Sequence, residues 1–203
     1  MKSFSVVQKI LLLSCLLPLG AAHAVSQGDW LLRFGGAQVS PNDGSSGVVA
    51  NDAIGVDSNA QPFVNLTYML RDNIGLEVLA ALPFQHDITL NGSKIAETKQ
   101  LPPTISVQYH FRPKENIRPY VGAGINYTTF FSEKATATIT SISLDDSIGL
   151  AAQVGVDGDI NKKWFWNADV RYINIETTAE TNIGNIEVDI NPWVFSLGVG
   201  TYF

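Results

Sequence analysis

Trp164-Phe165-Trp166-Asn167-Ala168-Asp169-Val170-Arg171-Tyr172 reads as two sequences interleaved. Trp164, Trp166, Ala168, Val170 and Tyr172 form one set, apolar or aromatic throughout, and the other set contains Asp169 and Arg171. A period of two belongs to a β-strand, whose successive side chains point to opposite faces. One face of this strand is free of charge and the other carries it. What each face looks toward decides the fold.

The same pattern recurs along the chain. Strands are predicted over Asp29–Val39, Gln61–Leu70, Ile74–Phe84, Thr104–Phe111, Arg118–Phe131, Ser147–Ile160, Trp164–Ile175 and Pro192–Phe203. Each has one parity without charge: Phe34 in the first, Val64 in the second, Val78 and Phe84 in the third, Val107 in the fourth. The later strands add Ile125, Val154, Val170 and Leu197. The opposite parity holds Arg33, Asn65, Thr67, Glu77, Gln108, His110, Asn126, Gln153, Asp157, Asp169 and Arg171. A soluble sandwich would need a second layer to cover each apolar face, and no segments are left to supply one. Lipid covers such faces directly.

The connections alternate in length. Arg71-Asp72-Asn73, Arg112–Ile117 and Asn161-Lys162-Lys163 are short, whereas Ser40–Ala60, Gln85–Pro103, Ser132–Asp146 and Glu176–Asn191 are long and polar. Outer-membrane barrels have short periplasmic turns and longer extracellular loops. An eight-stranded antiparallel up-and-down meander with both ends periplasmic sorts these connections onto the correct sides. The expected fold is all-β, a transmembrane β-barrel. Aromatic residues gather near both ends of the outward face: Trp30, Tyr109, Phe111, Trp164, Trp166 and Phe203 below, Phe84, Phe131, Trp193 and Phe195 above. They match the girdles at the two interfaces.

The chain's beginning fits export. Lys2 and Lys9 are the only charges before Asp29, and the apolar run Ile10–Gly20 precedes Ala22-His23-Ala24. That run is too short for a membrane helix of about 20 residues and fits a cleavable leader. Residues 1–24 are read as signal peptide and 25–203 as the barrel domain. Leu13-Ser14-Cys15 resembles a lipobox only loosely, and Cys15, the sole cysteine, falls within the leader. The formal charge of −6, from 13 basic and 19 acidic residues, argues against nucleic acid as a partner, which needs a basic face.

Several segments resemble the outer membrane protein W (OmpW) family: Tyr68-Met69-Leu70-Arg71-Asp72-Asn73-Ile74-Gly75-Leu76-Glu77, Leu101-Pro102-Pro103-Thr104, Arg118-Pro119-Tyr120-Val121-Gly122-Ala123-Gly124-Ile125-Asn126-Tyr127, Gln153-Val154-Gly155-Val156-Asp157, and the ending from Pro192-Trp193 to Phe203. Thr201 departs from the aromatic residue common there. The resemblance implies an eight-stranded barrel in a Gram-negative outer membrane, with a narrow, partly apolar interior. It also implies a part in moving small hydrophobic molecules.

Strand direction sets the height of each inward residue. Val39, Phe63, Leu79, Ala81, Ile173 and Val194 are expected to line an apolar upper lumen. Arg33, Glu77, Gln108, Asp157, Asp169 and Arg171 are expected to form a polar floor. Side chains nearly fill an eight-stranded barrel, so opposite charges there should pair. Prolines Pro83, Pro102 and Pro103, at the outer ends of the third and fourth strands, mark a seam where the ladder loses donors. His86-Asp87 suggests an acid–base pair but reads better as a solvated loop. No catalytic constellation, metal spacing or cofactor motif is found, so an enzyme is not expected. The leading reading is passive passage of small hydrophobic molecules with lateral exit to the membrane. The alternative is a structural or receptor barrel whose extracellular loops bind partners without transport. Expected partners are outer-membrane lipid, small hydrophobic solutes, and the barrel assembly machinery through Phe203.

Overall fold

The computed structural model of the protein describes residues 24–42, 44–47, 54–135 and 140–203. Apart from Ala24, the expected leader lies outside them, with Cys15. Among the described residues the strands are β1 (Trp30–Ser40), β2 (Gly44–Gly47), β3 (Ile54–Val56), β4 (Asn59–Arg71), β5 (Ile74–Ala81), β6 (Phe84–Leu90), β7 (Ser93–Leu101), β8 (Thr104–His110), β9 (Ile117–Ala135), β10 (Ile142–Leu144), β11 (Ser147–Asp159), β12 (Trp164–Ile173), β13 (Glu176–Thr181), β14 (Gly184–Asp189) and β15 (Trp193–Tyr202).

Eight of them close a barrel, in the order β1-β4-β5-β8-β9-β11-β12-β15, every neighbour antiparallel. The ladder from Leu31 opposite Tyr202 to Ser40 opposite Trp193 joins the last strand to the first. Closure leaves no edge, which hydrocarbon requires because it offers unpaired backbone groups no partner. The alternation falls as lipid demands. Ile148 is 76% exposed and Leu197 71%, whereas Arg33, Glu77 and Asp157 are 0% exposed.

Above the barrel the chain does not dissolve into loops. The long connections expected as polar loops are largely stranded. One small sheet runs β10-β13-β14-β2, and β6 and β7 pair with β3 and with the outer part of β9. The β6–β7 hairpin turns on Asn91 and Gly92, with φ of +48° and +78°. Asn-Gly suits the left-handed conformation at both central positions of a type I′ turn. This Asn-Gly pair lies within Gln85–Pro103, a segment whose composition predicts a long polar loop.

One outward assignment is corrected. Phe84, expected in the outer girdle, is 2% exposed and packs inside. The strand stops at Leu82 and Pro83, since proline has no N–H to continue the ladder, and resumes with the aromatic ring turned inward. Trp193 and Phe195 keep their outward positions.

Candidate functional site: a lumen graded from charge to hydrocarbon

The lumen is built from the inward parity of all eight barrel strands and changes character with height. At the base, Val25, Leu31, Met69, Phe165 and Tyr202 form a small apolar plug. The Val25 N–H donates to the Pro113 carbonyl at 2.8 Å, tying the chain's entry to a periplasmic turn. Beside it Arg118 Nη2 meets Asp159 Oδ1 at 2.6 Å, and the Tyr202 hydroxyl donates to the same oxygen at 2.7 Å.

The next layer is the floor. Arg33 donates to Asp157 twice, Nε to Oδ1 at 3.0 Å and Nη2 to Oδ2 at 2.6 Å. This two-pronged geometry matches a planar guanidinium to a carboxylate. The Arg33 guanidinium also lies 5.2 Å from the Tyr120 ring centre and 5.6 Å from that of Phe165. Glu77 accepts from Gln108 at 2.7 Å, Gln153 at 3.1 Å and Arg171 at 2.8 Å, so both its oxygens are met. Asp169 is 3.7 Å from Arg171 Nε and accepts from the Tyr120 hydroxyl at 3.2 Å. The structure therefore brings Arg33, Glu77, Gln108, Asp157, Asp169 and Arg171 into one network. Such a network has little room for permeant water, because its own side chains occupy the bore.

Sequence reading missed several members. Arg118, Tyr120 and Asn167 are buried within the same cross-section, Asn167 donating to Tyr120 at 3.0 Å and to Asp157 at 2.9 Å. Their inward parity was visible. Tyr120 shares its parity with Asn126 and Asn167 with Asp169, but tyrosine beside an aliphatic run does not announce a polar role.

Above the floor the lining turns apolar. Val39, Phe63, Leu79, Ala81, Ile173 and Val194 surround one chamber with Ala37, Phe84, Pro102 and Ile175. A second apolar chamber lies in the extracellular extension, lined by Ile54, Ile88, Ile95, Phe130, Ile186 and Val188 among others. Each holds about 20 Å³ of open space, enough for a water molecule but not for a hydrocarbon. A solute must move side chains to enter.

His86 belongs to the upper chamber. It is 2% exposed, not a solvated loop residue as its polar neighbourhood suggested. Burial holds its pKa below the ordinary histidine value. Asp87, next in sequence, faces the other way and pairs with Lys94 at 2.9 Å. The two do not form an acid–base pair.

The wall has an interruption. The β5–β8 ladder ends at Leu79 opposite Thr104, and β6–β7 pairing begins at Phe84 opposite Gln100. Between them lie Leu82 and Pro83 on one side and Pro102 and Pro103 on the other. Pro102 lines the lower chamber, while Pro103 borders a lipid-facing groove with Ile105, Val107, Ile125 and Tyr127. Asn126 Nδ2 donates to the carbonyls of both prolines at 3.1 Å, holding their strand against β9.

Comparison with known proteins agrees with this architecture. Outer membrane protein W of Vibrio cholerae is 47% identical over 197 residues, covering 89% of this chain and 91% of that protein. The dibenzothiophene metabolism operon protein PahQ of Pseudomonas aeruginosa is 28% identical over 86% of this chain and 88% of its own length. The crystal structure of the outer membrane protein OprG from Pseudomonas aeruginosa superposes with a TM-score of 0.82 at 36% identity, covering 91% of this chain and 99% of that one. Residues 26–203 match the OmpW family. With its closed eight-stranded barrel, charge-free outer face and graded lumen, the chain belongs to the OmpW family of outer-membrane proteins.

Proposed function

We propose that the barrel gives small hydrophobic molecules passive passage through its apolar chambers, with lateral exit into the membrane. The observation that carries this reading is an apolar chamber standing directly on a filled, charged floor. A solute in the chamber finds no continuing bore below, since entering the floor would break buried ion pairs, a cost of several kcal/mol. The interruption beside Pro102 and Pro103 is the neighbouring low-resistance route, and it borders an outer groove that is almost wholly apolar. The name of the relative PahQ, which ties it to metabolism of an apolar aromatic compound, points the same way.

The test compares proteoliposomes with and without the protein, using an apolar fluorophore and a charged one of similar size. Faster entry of the apolar probe alone is expected, with little ion conductance. Equal apolar rates with and without protein would overturn the proposal in favour of a structural or receptor barrel.

A further inference from the structure

Among the described residues, Gln100 alone lines both apolar chambers, so it sits where they meet. It is 1% exposed, and its Oε1 is buried without a hydrogen-bond partner. Which amide atom is left free follows from its neighbours. His86 Nδ1 lies 2.5 Å from the Asp57 carbonyl oxygen. A carbonyl only accepts, so Nδ1 must carry the ring proton. Nε2 of the neutral ring is then an acceptor, and it lies 3.0 Å from the Gln100 amide nitrogen. Gln100 therefore donates to His86 and leaves its oxygen free. Reversing the amide would set two acceptors against each other. The Asp57 carbonyl thus fixes the Gln100 orientation through the imidazole.

A buried acceptor without a partner is an expensive feature. Its surroundings specify what could satisfy it. No lysine or arginine lines either chamber, so an anionic headgroup would enter without a counter-charge. A pure hydrocarbon offers no donor, and an ether or ketone offers only acceptors. We propose that Gln100 Oε1 is the recognition point for apolar molecules bearing one neutral hydrogen-bond donor. A primary alcohol is the simplest, its hydroxyl on Gln100 and its hydrocarbon tail in an adjoining chamber. This proposal rests on the passage reading and names its substrate class.

The full chain in phosphatidylcholine nanodiscs would be titrated with 1-octanol and with 1-methoxyheptane, an isomer of the same length that accepts but cannot donate. Side-chain amide and isoleucine methyl resonances report binding, and a Gln100→Leu variant identifies the Gln100 signal. The alcohol is expected to bind roughly three- to tenfold more tightly, the value of one neutral hydrogen bond, and Gln100→Leu to remove the difference. Equal affinities in the native chain would overturn the proposal while leaving passage standing, with water alone meeting Oε1. No response to either compound would overturn both. The comparison on the native chain decides the matter even if the variant fails to fold.

Discussion

The ring of Tyr120 occupies the hollow left by the missing side chain of Gly155, directly across the β9–β11 ladder. A Cβ added at Gly155 would lie 2.3 Å from the Tyr120 Cζ. The ring has no room to swing away, because it is fully buried and its hydroxyl bonds Asn167 and Asp169. Gly155→Val should therefore destabilise the barrel by about 1–3 kcal/mol, as overpacking does. Urea unfolding in lipid checks this, and an unchanged midpoint would refute the packing account.

Arg33 is the hub of the floor. Arg33→Ala leaves Asp157 buried without its two-pronged partner, at a cost of about 3–5 kcal/mol. Replacing Asp157 by Leu and Arg33 by Met together should recover much of that loss, since the uncompensated charge disappears with its partner. Equal destabilisation by the single and double changes would contradict this.

The outward face tests the membrane placement. Val78 and Val154 are 48% and 55% exposed on barrel strands. Arginine at either should weaken folding in lipid by about 2–4 kcal/mol if it lies at the midplane. Gel mobility of unheated against boiled samples reads the folded fraction. Full folding of both variants would reverse the inside–outside assignment.

The leader is tested by mass. The Ala22-His23-Ala24 pattern predicts cleavage after Ala24, and Val25 is buried with its N–H on the Pro113 carbonyl. The protein recovered from the outer membrane should begin at Val25. An intact leader, or a lipid on Cys15, would overturn the expectation.

Leu79 lines the lower chamber beside the wall interruption. Leu79→Asp should slow apolar probe entry several-fold in a barrel that still shows heat-dependent mobility. An ionised carboxylate there would hold water that the solute must displace. Unaltered entry would remove this chamber from the route.

Barrel and extension were not equally legible. In the membrane, lipid enforces one sense of alternation on every strand, so Trp164 to Tyr172 could be read without knowing any neighbour. Above the membrane the sense inverts: Ile186 and Val188 turn inward because water now lies outside. Phe84 stands just beyond that change, and carrying the lipid rule past Pro83 placed it wrongly. Gln100 and His86 could not be singled out, since their pairing depends on two strands and on a carbonyl from a third segment. The floor was visible residue by residue, whereas its wiring through Tyr120 and Asn167 depends on barrel closure.

The extension that continues the barrel upward makes the protein answer to two solvents at once. Ile54, Ile88, Ile95 and Ile186 are buried away from water, so their cohesion weakens on cooling and in chaotropes, as hydrophobic association does. Below them the bilayer is as apolar as the residues facing it, and order there rests on hydrogen bonds and ion pairs instead. Cold or mild chaotrope should thus loosen the packing of the extension before that of the barrel wall.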